Sequence, residues 1–425
     1  MPLAGILEKL YSRRRFGIRP GIDRIKILLD RLGNPERSFS SIHVVGTNGK
    51  GSTSAFLSSM LTRSGYRTAL FTSPHLVNFN ERFRINGIEI ESEKLEALLE
   101  RVLAIAPEES TFFEIVTALG ALSFAEENVE FAVMEAGMGG RSDATAAFPG
   151  ILTLITPISL DHCDYLGKTI EDIAREKSAI AEPTTPVISA RQTEQVQSII
   201  ANYCSSANSP FYVAKTDFAA CWNRQGLLDY NGIKITLSDL VPGINGRYQS
   251  GNAALALAAA EILSGLGITI DQDAMRSGLA NTHWPGRMEL IPGQPRLLLD
   301  GAHNPAGAEA LAESLGSYCY NRVLMVCGIM ADKDAEAILA PLSGIVSKAY
   351  CVSPNIDRAM DDKRLAEITT ALGIGSVPCG SIANGIKAAR SDAADDDLIL
   401  ICGSLFTVGE AKAWLAGKQF NGIRG

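Results

Sequence analysis

The chain has 425 residues, 46% hydrophobic and 20% charged, with a formal net charge of −8. That length favours two domains over a single core, and the acidic balance argues against nucleic acid as the main partner, although local arginines and lysines could still receive an anionic substrate. No apolar run reaches membrane-spanning length, Met1 to Arg15 lacks the apolar centre of a signal peptide, and the eight scattered cysteines show no CxxC or ligand spacing, so a cytoplasmic protein with reduced thiols and no membrane partner is expected.

Apolar runs alternate with helical periodicity almost throughout, the pattern of a doubly wound α/β architecture. In chain order, strands are expected near Ser41–Val45, Arg67–Phe71, Glu130–Met134, Ile151–Ile155 and Pro186–Ile188. Between them, helices are expected near Thr53–Ser64, Ser92–Ile105, Phe112–Asn128, Ile170–Ala181 and Thr193–Tyr203. From Phe211 to Leu240 short strands surround an Asn231-Gly232 turn, and an alanine-rich helix follows over Asn252–Leu263. Asn281–Pro295 holds three of the eighteen prolines and reads as a crossover or hinge. The alternation then restarts with strand Arg296–Leu299, helix Ala306–Cys319 and strands Arg322–Cys327, Lys348–Val352 and Leu398–Cys402. Two domains follow, residues 1–292 and 293–425.

The most informative segment is Gly46-Thr47-Asn48-Gly49-Lys50-Gly51-Ser52, placed between a β-branched strand and a helix. Strand, glycine loop, lysine and helix start together cradle polyphosphate: backbone N–H groups close on phosphate oxygens and the lysine reaches the terminal ones. The general pattern G-x-x-x-x-G-K-[ST] is not met, because Val44 holds its first glycine position and Gly51 follows the lysine. Ligands of doubly wound sheets sit at the carboxyl ends of strands, and three other such ends carry unusual residues. They are Thr72-Ser73-Pro74-His75-Leu76 with Glu81-Arg82 after it; the glycine-rich stretch Glu135 to Thr145; and Ser159 to Thr169 around His162. A strand that delivers a carboxylate such as Glu135 into a glycine-rich loop can hold magnesium, or simply cap the loop. Lys177, fifteen residues past His162, reads by itself as a surface lysine paired one turn away.

The ending Gly-Thr-Asn-Gly-Lys-Gly-Ser resembles the phosphate loop of the Mur ligase superfamily, in its folate branch of folylpolyglutamate and dihydrofolate synthases. The other segments are similar to that branch's T-S-P-H-L, E-x-G-x-G-G-R-x-D-A-T and L-D-H-x-x-x-L-G-x-T signatures, and further matches stand at Trp284-Pro285-Gly286-Arg287-Met288-Glu289 and Asp300-Gly301-Ala302-His303-Asn304-Pro305. The resemblance implies an N-terminal P-loop ATPase-type sheet with a small β element and a C-terminal Rossmann-like domain. It implies that Gly49, Lys50, Gly51 and Ser52 hold ATP phosphates, that Arg287 and Asp300 meet ATP, and that Asn252 meets the adenine. Members often carry His where Tyr248 stands, which leaves that loop less secure. Ser73, Glu135 and His162 are the implied magnesium ligands; Lys177, as a CO2-derived carbamate, would give a second magnesium a carboxylate-like ligand, with a monovalent cation as a further expectation. His303 matches the glutamate side and counts with Lys50 and Lys177 as catalytic. Arg82, Thr111, Phe113, Asp143, Ala144 and an N-terminal arm around Arg14–Arg24 match the pterin-binding pieces.

The implied reaction joins a folate or pteroate carboxylate to the amino group of L-glutamate through an acyl phosphate, with ATP as the phosphoryl donor. The second domain is expected to rotate about Asn281–Pro295 and exclude water. Small molecules are the expected partners, acting on a monomer, and the acidic balance favours short glutamate tails. The alternatives are a synthase that only extends folates, a Mur ligase acting on a peptidoglycan precursor, and a nucleotide-binding switch. A Rossmann dehydrogenase fits worse, since no G-x-G-x-x-G follows the first strand.

Overall fold

The structure, a computed structural model, describes residues 3–13, 21–418 and 420. Most of the expected N-terminal arm, residues 14–20, lies outside the described residues. The first sheet contains β1 (Ser40–Val45), β2 (Thr68–Phe71), β3 (Phe83–Ile85), β4 (Ile88–Glu89), β5 (Phe131–Glu135), β6 (Gly150–Ile155), β7 (Val187–Ser189) and β8 (Phe211–Val213). Their order is β4-β3-β2-β5-β1-β6-β7-β8, parallel except where β3 and β4 form an antiparallel edge. β1 and β5 are buried almost throughout, which is why they read as unbroken apolar runs rather than alternating ones. Apolar clusters cover both faces: Leu57, Leu61 and the alanines of helix Gln249–Gly265 on one, Phe83, Leu99 and Ile115 on the other.

The Asn231-Gly232 turn belongs to a small antiparallel sheet of β9 (Ala219–Trp222), β10 (Leu228–Asn231) and β11 (Thr236–Leu240). Glu261 anchors it to helix Gln249–Gly265. Its carboxylate accepts the Tyr230 hydroxyl at 2.6 Å and the backbone N–H groups of Ile233, Lys234 and Ile235 at 3.1, 2.7 and 3.2 Å.

The second sheet holds β12 (Glu289–Ile291), β13 (Arg296–Leu299), β14 (Val323–Cys327), β15 (Val346–Cys351), β16 (Gly375–Pro378) and β17 (Leu398–Cys402), in the order β12-β13-β17-β14-β15-β16. It is parallel except for β12, which runs antiparallel to β13. Asn281–Pro295, read from sequence as a crossover, therefore contains a strand, and β12 lies ahead of residue 292 while pairing with the second sheet. Among the described residues no helix is long and apolar enough to cross a membrane.

Several elements escaped the periodicity. Helix Lys50–Arg63 begins one turn earlier than expected because its first residues, Lys-Gly-Ser, carry no apolar signal. The short pair β3–β4, helix Gln272–Ala280 and the second-domain helices Asp362–Ala371, Ile382–Asp392 and Leu405–Leu415 were also absent from the expected set.

Candidate active site

The phosphate loop lies at the carboxyl end of β1. Gly49 sits in the left-handed region at φ 89° as the N-cap of helix Lys50–Arg63, and a Cβ there would lie 2.3 Å from Asn252 Oδ1. Glycine thus answers both the backbone turn and the close approach of Asn252. Asn252 donates to Gln249 Oε1 at 2.8 Å, and Gln249 donates in turn to Ser52 Oγ at 3.3 Å. The Trp284 indole covers Gly51, and the Arg84 guanidinium lies 5.1 Å from the Trp284 ring. Lys50 folds back and donates to the carbonyls of Gly46 and Thr47 at 3.3 and 3.2 Å.

Register brings the next pieces together. Val44 of β1 stands opposite Glu135 of β5, and Phe71 of β2 opposite Met134, so the ends of three neighbouring strands converge. The Ser73 N–H donates to Glu135 Oε2 at 3.4 Å. Glu135 is only 6% exposed, and burial pushes its carboxyl pKa up against the opposing charges of Lys50 and Arg287. A cavity here is lined by Gly51, Ser73, Glu135, Arg84, Trp284 and Arg287.

Lys177 is not the surface lysine that its spacing suggests. It is 5% exposed and its ammonium donates to the Gly46 carbonyl at 2.9 Å. Burial first, then the Lys50 charge, lowers its pKa to about 7, while Asp143, Asp161 and Glu176 pull the other way. Asp143 organises the glycine-rich loop: its carboxylate accepts from Thr145 N at 3.0 Å, Thr145 Oγ1 at 2.6 Å and Met138 N at 2.8 Å. Ala144, buried beside it, begins a single 3-10 turn, Ala144–Ala147.

Asp161, which sequence reasoning passed over, stands at the centre of a group drawn from both domains. Lys333 donates to its Oδ1 at 2.6 Å, and the Nε2 atoms of His162 and His303 each lie 3.9 Å from Oδ2. Burial alone would raise the Asp161 pKa; His162, Lys333 and His303 outweigh it and hold it down at about 2. His162 adopts φ 53° with a side chain 47% exposed, and it stands within electrostatic range of Lys50 and Lys177. Burial pushes His303 down to about 4, so the ring is neutral; its Nδ1–H donates to the Gly301 carbonyl at 2.9 Å and leaves Nε2 bare. Only Asp161's position beside His162 hinted at this group. Nothing in the spacing pairs residues 161 and 333.

At the domain junction Asp300 accepts from Met288 N at 3.0 Å, Ala302 N at 2.9 Å and the Tyr248 hydroxyl at 3.1 Å. Burial raises its pKa, opposed chiefly by Arg287. Arg287 thus acts on carboxylates of both domains, Glu135 and Asp300.

The residues matched to pterin binding lie on the β2 and β5 side. Thr111 caps helix Phe112–Glu126 in a reciprocal box with Glu114, whose carboxylate also pairs with Arg24 at 2.9 Å. Phe113 packs against Gly137 and lies 6.1 Å from the Phe71 ring. Arg82 is 1% exposed, donates to His75 Nδ1 at 2.8 Å and lies 5.4 Å from the Phe112 ring. It supports the Ser73–Leu76 turn from behind.

Among the described residues no three His, Cys, Asp or Glu side chains cluster as a metal cage. The donor chemistry nevertheless suits a hard cation that keeps water and bridges phosphates. Glu135 is a buried carboxylate that accepts the Ser73 N–H at the mouth of a phosphate loop.

The profile of the Mur ligase middle domain matches residues 44–260, and that of the Mur ligase glutamate ligase domain matches residues 286–405. The dihydrofolate synthase/folylpolyglutamate synthase of Bacillus subtilis (strain 168) is 36% identical over 95% of this chain and 96% of its own. Escherichia coli FolC, solved in complex with DHPP and ADP, superposes with a TM-score of 0.90 at 32% identity, covering 98% of each chain. A bifunctional folylpolyglutamate synthase/dihydrofolate synthase solved with Mn, AMPPNP and L-glutamate bound gives a TM-score of 0.87 at 30% identity, again over 98% of each chain. With both domain profiles matched in order and full-length relatives at this identity, the chain belongs to the Mur ligase family of ATP-dependent ligases, in its dihydrofolate synthase/folylpolyglutamate synthase branch.

Proposed function

We propose that this protein joins the amino group of L-glutamate to the carboxylate of dihydropteroate and of reduced folates, with ATP giving ADP and phosphate. A carboxylate is a poor electrophile, so the γ-phosphoryl group is transferred to it first. Lys50 and Arg287 neutralise charge on the transferring group. The glutamate nitrogen then attacks the acyl carbon, the C–N bond forms, and phosphate leaves with the electrons of the acyl C–O bond. We assign His303, neutral with Nε2 bare, to the ammonium side of the incoming amino acid. The observation that carries this reading is Arg287, which acts on a buried carboxylate of each domain, Glu135 and Asp300, with Lys50 of the phosphate loop acting on Glu135 as well.

Ser73, Glu135 and His162 would hold magnesium, with Lys177 as a carbamate beside a second ion and a monovalent cation nearby; these ions supply charge neutralisation on the phosphates. Gly49, Gly51, Ser52, Asn252 and Asp300 are assigned to ATP. Arg82, Thr111, Phe113, Asp143 and Ala144 are assigned to the pterin side, by stacking and by shaping the pocket. We read the working unit as a single cytoplasmic chain whose partners are small molecules.

The test supplies 7,8-dihydropteroate and 10-formyl-tetrahydrofolate separately, each with ATP, Mg2+ and glutamate. Phosphate release with both is expected, and none when any one component is omitted. Turnover of the folate alone would leave a folate-extending synthase, and release only with a UDP-linked peptide would move the chain to the peptidoglycan branch.

A further inference from the structure

Two asparagines, neither assigned a role above, join the domains directly. Asn48 lies inside the phosphate loop, between Thr47 and Gly49. Asn304 is the N-cap of helix Pro305–Leu315 in the second domain and is 4% exposed. Their amides form a reciprocal pair: Asn48 Nδ2 donates to Asn304 Oδ1 at 3.0 Å, and Asn304 Nδ2 donates to Asn48 Oδ1 at 3.0 Å. The orientation is fixed by the cap. Gly307 N–H donates to Asn304 Oδ1 at 2.8 Å, so Oδ1 must face that way and Nδ2 is left for Asn48.

The loop end of this pair is equally tied. Thr47 Oγ1 donates to the Ser159 carbonyl at 3.1 Å and accepts Ser159 N–H at 3.0 Å, at the start of the segment that carries Asp161 and His162. Asn48 is therefore a rigid post on the phosphate side, and Asn304 adjoins His303 on the glutamate side. A sideways shift of the second domain breaks both hydrogen bonds at once.

We propose that Asn48 and Asn304 are positioning residues: an amide clasp that registers the amine-donating side of the second domain over the phosphate loop. The inference rests on the ligase reading above. Its chemical consequence is partition of the acyl phosphate. Attack by the glutamate nitrogen forms the C–N bond and expels phosphate; attack by water at the same carbon returns the free carboxylate and expels the same phosphate. A loosened clasp leaves phosphoryl transfer in place and lets water compete.

The experiment measures phosphate released and glutamate incorporated in the same reaction, for the wild type, Asn48→Ala, Asn304→Ser and the double variant. Asn304→Ser keeps an oxygen to cap Gly307 N–H but is too short to reach Asn48. In each single variant the phosphate-to-product ratio is expected to rise at least about threefold and the glutamate KM about tenfold, the scale of a lost hydrogen-bond pair, with the ATP KM within about twofold. The double variant should match either single one, because the clasp is one unit. A wild-type ratio in both single variants, or effects that multiply in the double, overturns the clasp. If Asn304→Ser unfolds in a thermal scan, Asn48→Ala, which leaves the cap untouched, decides alone. A wild-type protein with no glutamate-dependent phosphate release would instead remove the ligase reading, and the clasp with it.

Discussion

Lys177 should carry CO2, and the structure sets how its capacity to do so varies with pH. A carbamate forms when a neutral amine attacks the carbon of CO2: the N–C bond forms and a proton is lost. A lysine at its ordinary 10.5 is neutral in only about one molecule in three thousand at pH 7, whereas Lys177, lowered to about 7, is neutral in about half. The neutral fraction should be about a tenth at pH 6 and about nine-tenths at pH 8, so the capacity to react rises about tenfold across that window. The sign follows from burial, which disfavours the charged form; raising the pH removes the proton that blocks the reaction. The assay is carbon-13 NMR after incubation with labelled bicarbonate at pH 6, 7 and 8, with Lys177→Ala as the control. A carbamate resonance should grow with pH in the wild type and be absent from the variant, whose activity should be restored in part by a small carboxylate. No resonance at pH 8, or full activity of Lys177→Ala without added acid, refutes the reasoning.

Two further outcomes test the site. Lys50→Ala should lose at least about 10²-fold in rate, the scale of removing a preorganised charge donor, and near-full turnover in a steady-state phosphate assay would take the loop out of the mechanism. Gly140→Ala would place a Cβ 2.3 Å from the Glu176 carbonyl oxygen and 2.6 Å from Lys177 Cα, both backbone atoms that cannot swing aside. Its cost should be about 1–3 kcal/mol by thermal unfolding, with a weakened carbamate signal; a stable variant with unchanged signal would show that the loop does not position Lys177.

Strand ends were legible because the physics there is local. A β-branched run entering glycines, as at Val45–Gly49, or a carboxylate closing an apolar strand, as at Glu135, marks itself. What stayed hidden depends on packing between distant segments. Lys177 reads as a surface residue until helix Ile170–Ser178 is seen to press it against Gly46. Asp161 gains its meaning only from Lys333, and Glu261 only from a turn some thirty residues earlier. β12 escaped because three residues among prolines carry no period of their own, and only pairing with β13 makes them a strand.

That short strand has a mechanical consequence. Glu289 pairs with Leu299, the Gly301 N–H donates to the Gly286 carbonyl at 2.9 Å, and Lys412 pairs with Glu289. Residues 286–291 are thereby clamped to the second sheet, and Arg287 rides on that body. A swivel of the two halves about residues 281–285, upstream of this clamp, would carry the Arg287 guanidinium toward or away from Glu135. Closure about that point and delivery of positive charge to the Glu135 side would then be one movement.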